Sequence, residues 1–245
     1  MKKADLGFII VTFIIISPFL PFPFLADFQK NFLFNEQYWL ITSFLKFALL
    51  ATLGESLGLR IKNGVYTQKG FGLIPRAVVW GFLGIVIKMA FVIFAVGVPV
   101  LLDKFIKLEG AVASMGYGNV LDAFDAGAGW VRVLTAFSIS VLLNLIFAPV
   151  FMTFHKITDT HILDNGGTLH GFFRWIKYSE IFPRINWFVQ WDFVFKRTIP
   201  FFWIPAHTIT FMLPKEYQII FAAILGIVLG VFMATASLKG SQKKA

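Results

Sequence analysis

The chain has 245 residues, of which 58% are hydrophobic and 14% are charged, and its mean hydropathy is +0.76. Soluble globular proteins carry about 25% charged residues, so this composition excludes that class and indicates several membrane-spanning helices. The net charge of +9 does not indicate nucleic-acid binding, because the basic residues are divided among short segments between apolar runs. The absence of Cys excludes disulfides, thiol catalysis and Cys-based metal sites.

The first apolar run, Gly7 to Ala26, follows a basic start and resembles a signal peptide. Because it contains three prolines and lacks the small-residue pattern that a signal peptidase reads, we expect a retained helix that is broken near its outer end. Residues 1–37 then form an N-terminal helix and loop ahead of a helical core at 38–237. The whole chain, 1–245, is predicted to be a single membrane domain.

Five further spans are predicted from apolar runs. They are Tyr38 to Leu59, Ala77 to Leu102, Trp130 to Phe154, and the two arms of a hairpin between Phe193 and Ser237 that turns at Pro214 to Tyr217. With six spans and both termini on the cytoplasmic side, 15 of the 22 Lys and Arg residues lie on the inner side and five on the outer side, as membrane topology favours. The predicted fold is therefore an all-α bundle of six transmembrane helices.

The inner loop, 156–192, is predicted to contain a helix that lies on the membrane surface, because aromatic and basic residues alternate from Gly171 to Tyr178. A partner-binding motif is the alternative. Four residues of metal-ligand types occur in or next to this loop: His155, Asp159, His161 and Asp164. Without a repeated spacing they do not predict a metal site, and no cofactor is expected.

Two prolines inside predicted spans, Pro149 and Pro205, indicate helix kinks, because each removes a backbone donor and frees a carbonyl one turn earlier. In lipid such a carbonyl must be satisfied by protein or by water. We therefore expect the helix face with Pro205 and His207 to look away from lipid, where His207 either lines a cavity or bonds a neighbouring helix.

Glycines four residues apart occur in the second and the last predicted spans, as Gly54 with Gly58 and Gly226 with Gly230. Such pairs give a helix a smooth face for close approach. The pattern predicts packing, within one monomer or between copies in a homo-oligomer, and indicates no chemistry.

Polar residues in four predicted spans fall at similar depths. Counted from the inner ends, Lys88, Asn144 and His207 lie ten or eleven residues in, Lys46 lies thirteen in, and Glu55 lies four in, nearer the inner face. A lysine at the bilayer centre costs about 2.5 to 3.5 kcal/mol, so a hydrated central cavity is the favoured interpretation. In the alternative, Lys46 extends to the outer surface and the layer has three members.

At these positions the chain resembles the Mpv-seventeen family, which includes the peroxisomal membrane protein of twenty-two kilodaltons. The segment Trp203 to Pro214 is similar to the family's closing signature of Trp-Pro, then Gln, then Asn-Phe, then Pro. Gly54 and Glu55 resemble its Gly-Asp pair, Arg76 to Gly84 resembles its Arg- and Gly-rich helix, and Leu143 to Pro149 resembles its Asp-Gln run ending in Pro.

Five positions depart from the family pattern. They are Lys88 for His, Asn144 for Asp, Leu145 for Gln, His207 for Gln and Ile85 for Pro. The resemblance therefore implies a divergent, bacterial relative. It implies an all-helical protein of the cytoplasmic inner membrane, or of an organelle membrane if the source is a eukaryote, in a family for which a regulated pore for small solutes has been proposed.

Three hypotheses for function remain. The first is a channel or transporter for small, anionic solutes in the lipid bilayer, with Lys88, Asn144 and His207 lining the passage and Glu55 near its inner mouth. The second is a structural or assembly protein whose polar layer ties helices together. An intramembrane enzyme has least support, because the chain has no zincin helix, no nucleophile elbow and no paired carboxylates at one depth.

Overall fold

The structure is a computed structural model that describes residues 3–242, with side chains up to residue 231. All regular secondary structure in this range is helical, which confirms the predicted all-α class there. Seven longer α-helices follow in chain order: α1 Lys3–Ile16, α2 Trp39–Asn63, α3 Leu73–Leu101, α4 Gly129–Leu142, α5 Ala148–Asp164, α6 Ile204–Met212 and α7 Lys215–Gln242.

Shorter helical segments join these helices. Short α-helical turns are Ala26–Phe28, Ala111–Ser114, Val120–Asp125, Leu169–Phe172, Tyr178–Ile181 and Trp187–Val189. The 3₁₀ turns are Ser17–Phe19, Pro23–Leu25, Glu36–Tyr38 and Phe182–Arg184. The π segments are Gln29–Leu33, Leu102–Ile106, Leu143–Phe147 and Gln190–Trp203. The last two π segments run directly into α5 and α6.

Three helices are long and apolar enough to cross a membrane: Glu36–Asn63, Leu73–Ile106 and Gly129–Asp164. They coincide with the predicted second, third and fourth spans and extend each of them at both ends. In the most apolar stretch of Glu36–Asn63, 61% of the residues are buried by protein, against 28% for Leu73–Ile106. The former is therefore suited to an interior position, and the latter to contact with lipid over much of its surface.

The break predicted in the first span is present. Helical segments Lys3–Phe19 and Pro23–Leu33 meet at an angle of 67°, and together they would form a fourth, bent span. Proline cannot continue the helical hydrogen-bond ladder, and here the side chain of Gln29 donates to the carbonyls of Pro18 and Leu20, at 2.9 and 2.7 Å. The bend is thus held by a side chain that bonds two carbonyls at the break, of which that of Leu20 also accepts from the backbone N–H of Phe22.

The predicted count of six spans is not confirmed. The continuous helical backbone from Trp187 to Met212 is not among the helices apolar enough to cross, because Asp192, Lys196 and Arg197 dilute its hydropathy. Helix α7 fills the place of the sixth span, but its side chains beyond residue 231 lie outside the described residues, as do Lys2, Lys243 and Lys244. The orientation of the termini also stays a prediction.

The predicted inner loop needs two corrections. Helix α5 continues to Asp164 and helical backbone resumes at Trp187, so the loop is shorter than 156–192 at both ends. The predicted surface helix across Gly171 to Tyr178 is wrong, because residues 174–177 are not helical and only single turns flank them. The composition of this segment suits a membrane interface, but composition does not specify whether the backbone is helical.

The chain divides into two compact units. The first comprises the described residues of Met1–Ile85, Ile162–Arg174 and Ala223–Ala245, and the second comprises Val86–His161 and Trp175–Ala222. A single membrane domain over 1–245 stays a prediction.

In the first unit, α2 packs against α3 through Gly81 and Gly84. A Cβ built on Gly81 would overlap the ring of Phe44, and one on Gly84 would lie 2.5 Å from the Cβ of Phe47. Since neither position has room for a side chain, the two glycines allow the close approach of these helices.

In the second unit, α4 packs against α6. The buried face of α4 includes the fully buried Ala136, Ile139 and Ser140, and the Ser140 hydroxyl reaches the backbone of α6. Phe211 of α6 is also fully buried, with its ring 4.9 Å from that of Phe91 on α3. This contact between α4 and α6 positions the polar cluster described next.

Candidate functional site

Asn144 and His207 are brought together by the second unit. Asn144 is fully buried in the π segment that follows α4, and His207 lies on α6. The amide nitrogen Nδ2 of Asn144 lies 3.0 Å from Nδ1 of His207, and its oxygen Oδ1 lies 3.3 Å from the same atom. Two residues from the predicted layer therefore form a direct polar contact between helices.

The contact with Asn144 fits either neutral tautomer of His207, because Nδ1 of the ring lies near both the amide nitrogen and the amide oxygen. Nδ2 of Asn144 carries two protons, and its other close acceptor is the backbone carbonyl of Ser140 at 2.8 Å. When the second proton goes to Nδ1 of His207, Nδ1 is the acceptor and the ring proton sits on Nε2. In that tautomer Nε2–H forms no hydrogen bond with any other described residue and is available as a donor.

Aromatic rings surround His207. The ring of Trp203 stacks on it at 5.1 Å with an interplanar angle of 29°, and the ring of Phe91 meets it edge-on at 5.5 Å. The indole nitrogen Nε1 of Trp203 is buried and has no hydrogen-bond partner within the described part of the chain. The indole N–H beside His207 is thus an unsatisfied buried donor, and such donors point to a bound water, ion or solute.

The local backbone explains why these groups meet. The π segments Leu143–Phe147 and Gln190–Trp203 stop just before Pro149 and Pro205, the two predicted kink positions. A proline has no N–H for the helical ladder, and a shift to π spacing accommodates it without breaking the helix. The hydroxyl of Ser140 then donates to the carbonyl of Ile204 at 2.7 Å.

Lys88 lies on the same helix as Phe91, three residues before it, and is partly buried. Residues three apart on a helix occupy neighbouring positions on one side of it. Lys88 therefore approaches the side of α3 that carries the ring contact with His207.

Glu55 belongs to a polar cluster in the first unit. Its carboxylate forms an ion pair with Arg76 and accepts from the indole nitrogen of Trp80 at 2.6 Å. Arg76 is 7% exposed, donates from Nε to the carbonyl of Phe71 at 2.7 Å and lies over the ring of that residue. The cluster joins the start of α3 to α2.

Lys46 is buried in the first unit. Its ammonium donates to the carbonyl of Leu33 at 2.9 Å and lies 5.1 Å from the ring centre of Phe34. Leu33 precedes α2, so the ammonium reaches toward the beginning of that helix, in the direction that the three-member alternative predicts. It remains within protein, however, with an exposed fraction of 4%.

In the part of the chain described, no group of three His, Asp or Glu side chains is close enough to hold a metal ion. The candidates His155, Asp159, His161 and Asp164 all lie on α5. Asp159 instead pairs with Lys156 at 3.4 Å.

Comparison with protein-family models, curated proteins and solved structures gave no match. The resemblance to the Mpv-seventeen family accordingly rests on the motifs alone and stays a prediction.

Two contributors to this cluster were missed by the sequence reasoning: Ser140 and the indole nitrogen of Trp203. Arg132, Ala136, Ser140 and Asn144 follow one another at a spacing of four, which places them on one face of a helix. That periodicity was a usable signal. It would have extended the polar face of this span from Asn144 to its outer end.

Proposed function

We propose that the protein is a membrane channel or transporter for small solutes that accept hydrogen bonds, organic anions among them. The observation that carries this proposal is the buried Nε1–H of Trp203, which has no hydrogen-bond partner among the described residues and lies beside the contact between Asn144 and His207. Donors without a partner in a low-dielectric site interact strongly with carboxylate or phosphate oxygens. The cation of Lys88, one turn from Phe91, adds attraction for negative charge.

The test is solute flux into liposomes that contain the purified protein. Radiolabelled succinate should enter faster than into empty liposomes. His207→Phe, which keeps a ring but removes both nitrogens, and Lys88→Ala should each reduce that flux. Ser138→Ala is a control, because Ser138 lies on α4, the helix that leads to Asn144, and bonds only the carbonyl of Leu134.

A structural role is the second candidate, and one observation favours it. Ser140 and Asn144 are both fully buried and bond the backbone or side chains of α6 directly, as interhelical ties in membranes do. Under this role the wild-type protein passes no more succinate than empty liposomes. His207→Phe would then lower the thermal unfolding temperature without any change in flux, so the two roles give different results in the same pair of measurements.

A further inference from the structure

We infer that Arg132 forms an anion-binding site in the outer part of the second unit. The site is selective for an oxyanion that can present two oxygens to the guanidinium, such as a carboxylate or a phosphate. This inference does not depend on the proposed transport, because a site at this position can bind an anion in a protein that conducts nothing. It rests on burial, on the hydrogen bonds that Arg132 makes and on those it leaves unmade.

Arg132 is 2% exposed, in the first turns of α4. Its Nη1 atom donates to two backbone carbonyls, those of Ser114 and Tyr117, each at 2.9 Å. These two bonds use both protons of Nη1. The side chain is therefore held in place, under the segment that contains the short helix Ala111–Ser114.

The opposite edge of the guanidinium is unused. Nε is buried and has no hydrogen-bond partner among the described residues, and none of them bonds Nη2 either. The Nε–H and Nη2–H bonds lie side by side in a planar fork, which is the edge that binds carboxylates and phosphates in a bidentate manner. A buried polar group left unsatisfied usually marks a water, ion or ligand that completes it.

The charge of Arg132 is also unbalanced. No carboxylate within the described range forms an ion pair with it. Asp122 is near enough to interact with its charge, but the Oδ2 atom of Asp122 accepts from the backbone and side chain of Asn119 instead. In addition, Arg132 sits near the N-terminus of α4, where the helix dipole already favours negative charge. A bound anion would balance the charge of Arg132 and would interact favourably with the dipole of α4.

The proposed ligand has two sources with the same chemistry, a soluble anion and an acidic lipid headgroup. The experiment uses full-length protein purified in neutral detergent and stripped of lipid. Inorganic phosphate is titrated by calorimetry, with chloride holding the ionic strength constant, and the same protein is examined in nanodiscs of neutral lipid with or without phosphatidylglycerol.

Saturable phosphate binding with one site per chain is the expected result. Arg132→Lys keeps the charge and can donate to the same two carbonyls, but it lacks the fork, so it should weaken phosphate binding by about tenfold or more. Lys104→Gln is the matched control, because Lys104 is an exposed cation of the same outer segment; its affinity should stay at the wild-type value.

A second pair of variants covers the case in which Arg132→Lys does not fold. Asp122→Asn removes the carboxylate that acts on Arg132, whereas Asp125→Asn removes an exposed carboxylate three residues further along the same short helix. Phosphate binding should tighten more for Asp122→Asn than for Asp125→Asn. If phosphatidylglycerol in the nanodisc abolishes phosphate binding, the lipid headgroup is the natural ligand; if it does not, the ligand is a soluble anion.

Absence of saturable binding to the wild-type protein, in both phosphate and phosphatidylglycerol, would overturn the inference. The role of Arg132 would then be structural, since its hydrogen bonds to Ser114 and Tyr117 hold the outer segment against α4. Unchanged affinity in Arg132→Lys, or equal effects of the two Asp variants, would place any observed phosphate elsewhere on the protein.

Discussion

At the scale of single residues, small hydroxyl and amide groups hold α4 against α6. The hydroxyl of Ser140 donates to the carbonyl of Ile204, the residue before Pro205. Water is scarce inside a membrane bundle, so a polar group that loses its protein partner has few replacements. Measured interhelical hydrogen bonds of this kind contribute about 0.6 to 2 kcal/mol each.

Ser140→Ala should therefore lower the free energy of unfolding by about 1 kcal/mol. The reason is the lost bond to Ile204, since the Ser140 side chain is fully buried and cannot exchange its partner for water. Thermal unfolding in detergent, followed by circular dichroism, measures the change.

The control is Ser138→Ala, two residues earlier on α4. The Ser138 hydroxyl bonds back to the carbonyl of Leu134 on its own helix and ties no neighbour. Its removal should change the unfolding temperature little. Equal losses for both variants would show that the bond from Ser140 to α6 is not the source of the effect.

Counting residues from the inner ends of the spans was enough to bring Asn144 and His207 together, because helices that start at one interface carry residues of equal count at equal depth. The same counting should have paired Glu55 with Arg76, since the first lies four residues before the inner end of its span and the second lies at the start of the next one. Arg76 was considered only for topology and as part of the family motif, so this ion pair was not predicted.

Arg132 and Lys46 show what such counting misses. The long side chain of Lys46 reaches the carbonyl of Leu33, so its ammonium is displaced from the depth of its own backbone. The surroundings of Arg132 come from the carbonyls of an irregular segment, whose fold no periodic pattern specifies. Counting residues along a span predicts the depth of a Cα atom better than the depth of the charged group at the end of its side chain.

At the scale of helices, glycines set the distance between α2 and α7. A Cβ built on Gly54 would lie 2.9 Å from the Cα of Ile227, and one on Gly230 would lie 3.3 Å from the carbonyl oxygen of Gly54. The spacing of four in the sequence predicted a close contact and left open whether it was within the monomer or between copies. In the first unit this contact is made within one chain.

Gly54→Ala should destabilise the protein, because the new methyl group meets the backbone of α7 and the helices must separate. Overpacking of this kind costs about 1 to 3 kcal/mol. Gly226→Ala is the matched control on α7, since a Cβ at Gly226 would have no neighbour within 4 Å. There the substitution should stabilise the helix by up to about 1 kcal/mol.

The two variants are compared by thermal unfolding under the same detergent conditions. Opposite signs for Gly54→Ala and Gly226→Ala are the expected result. Stabilisation by both would mean that α2 and α7 are not in close contact in the protein, and that the glycines serve no packing role.

Prolines also act at this scale, in a form that hydropathy does not reveal. Pro149 and Pro205 were predicted to kink their helices, and in the structure each lies two residues after the end of a π segment. Where a π segment begins depends on how the neighbouring helices pack. Residue type alone therefore predicts the disturbed turn but not the change in hydrogen-bond spacing.

At the scale of the whole molecule, the three spans that the structure supports are those with long apolar runs and at most two charges in their core. The first span is divided by its prolines. The helix from Trp187 to Met212 carries an acidic and two basic residues in its first half, so its apolar length is short for a membrane crossing. The count of six spans requires that both arms of the predicted hairpin cross the membrane.

The turn of that hairpin should face the same side as the outer segment. Because the chain contains no Cys, single cysteines can be placed without removing others. Suitable exposed positions are Ala113 in the predicted outer segment, Ser179 in the predicted inner loop and Glu216 at the turn before α7. In sealed right-side-out vesicles, a membrane-impermeant maleimide should label Ala113→Cys and Glu216→Cys, and should label Ser179→Cys only after permeabilisation.

The two reference positions make the result at Glu216 interpretable, since they define the labelling of either side in the same vesicles. Labelling of Glu216→Cys together with Ser179→Cys would mean that the chain from Trp187 to Met212 enters the membrane and returns, or lies along its inner surface. The basic residues Lys196 and Arg197, which are exposed in the structure, would then remain with the other inner cations.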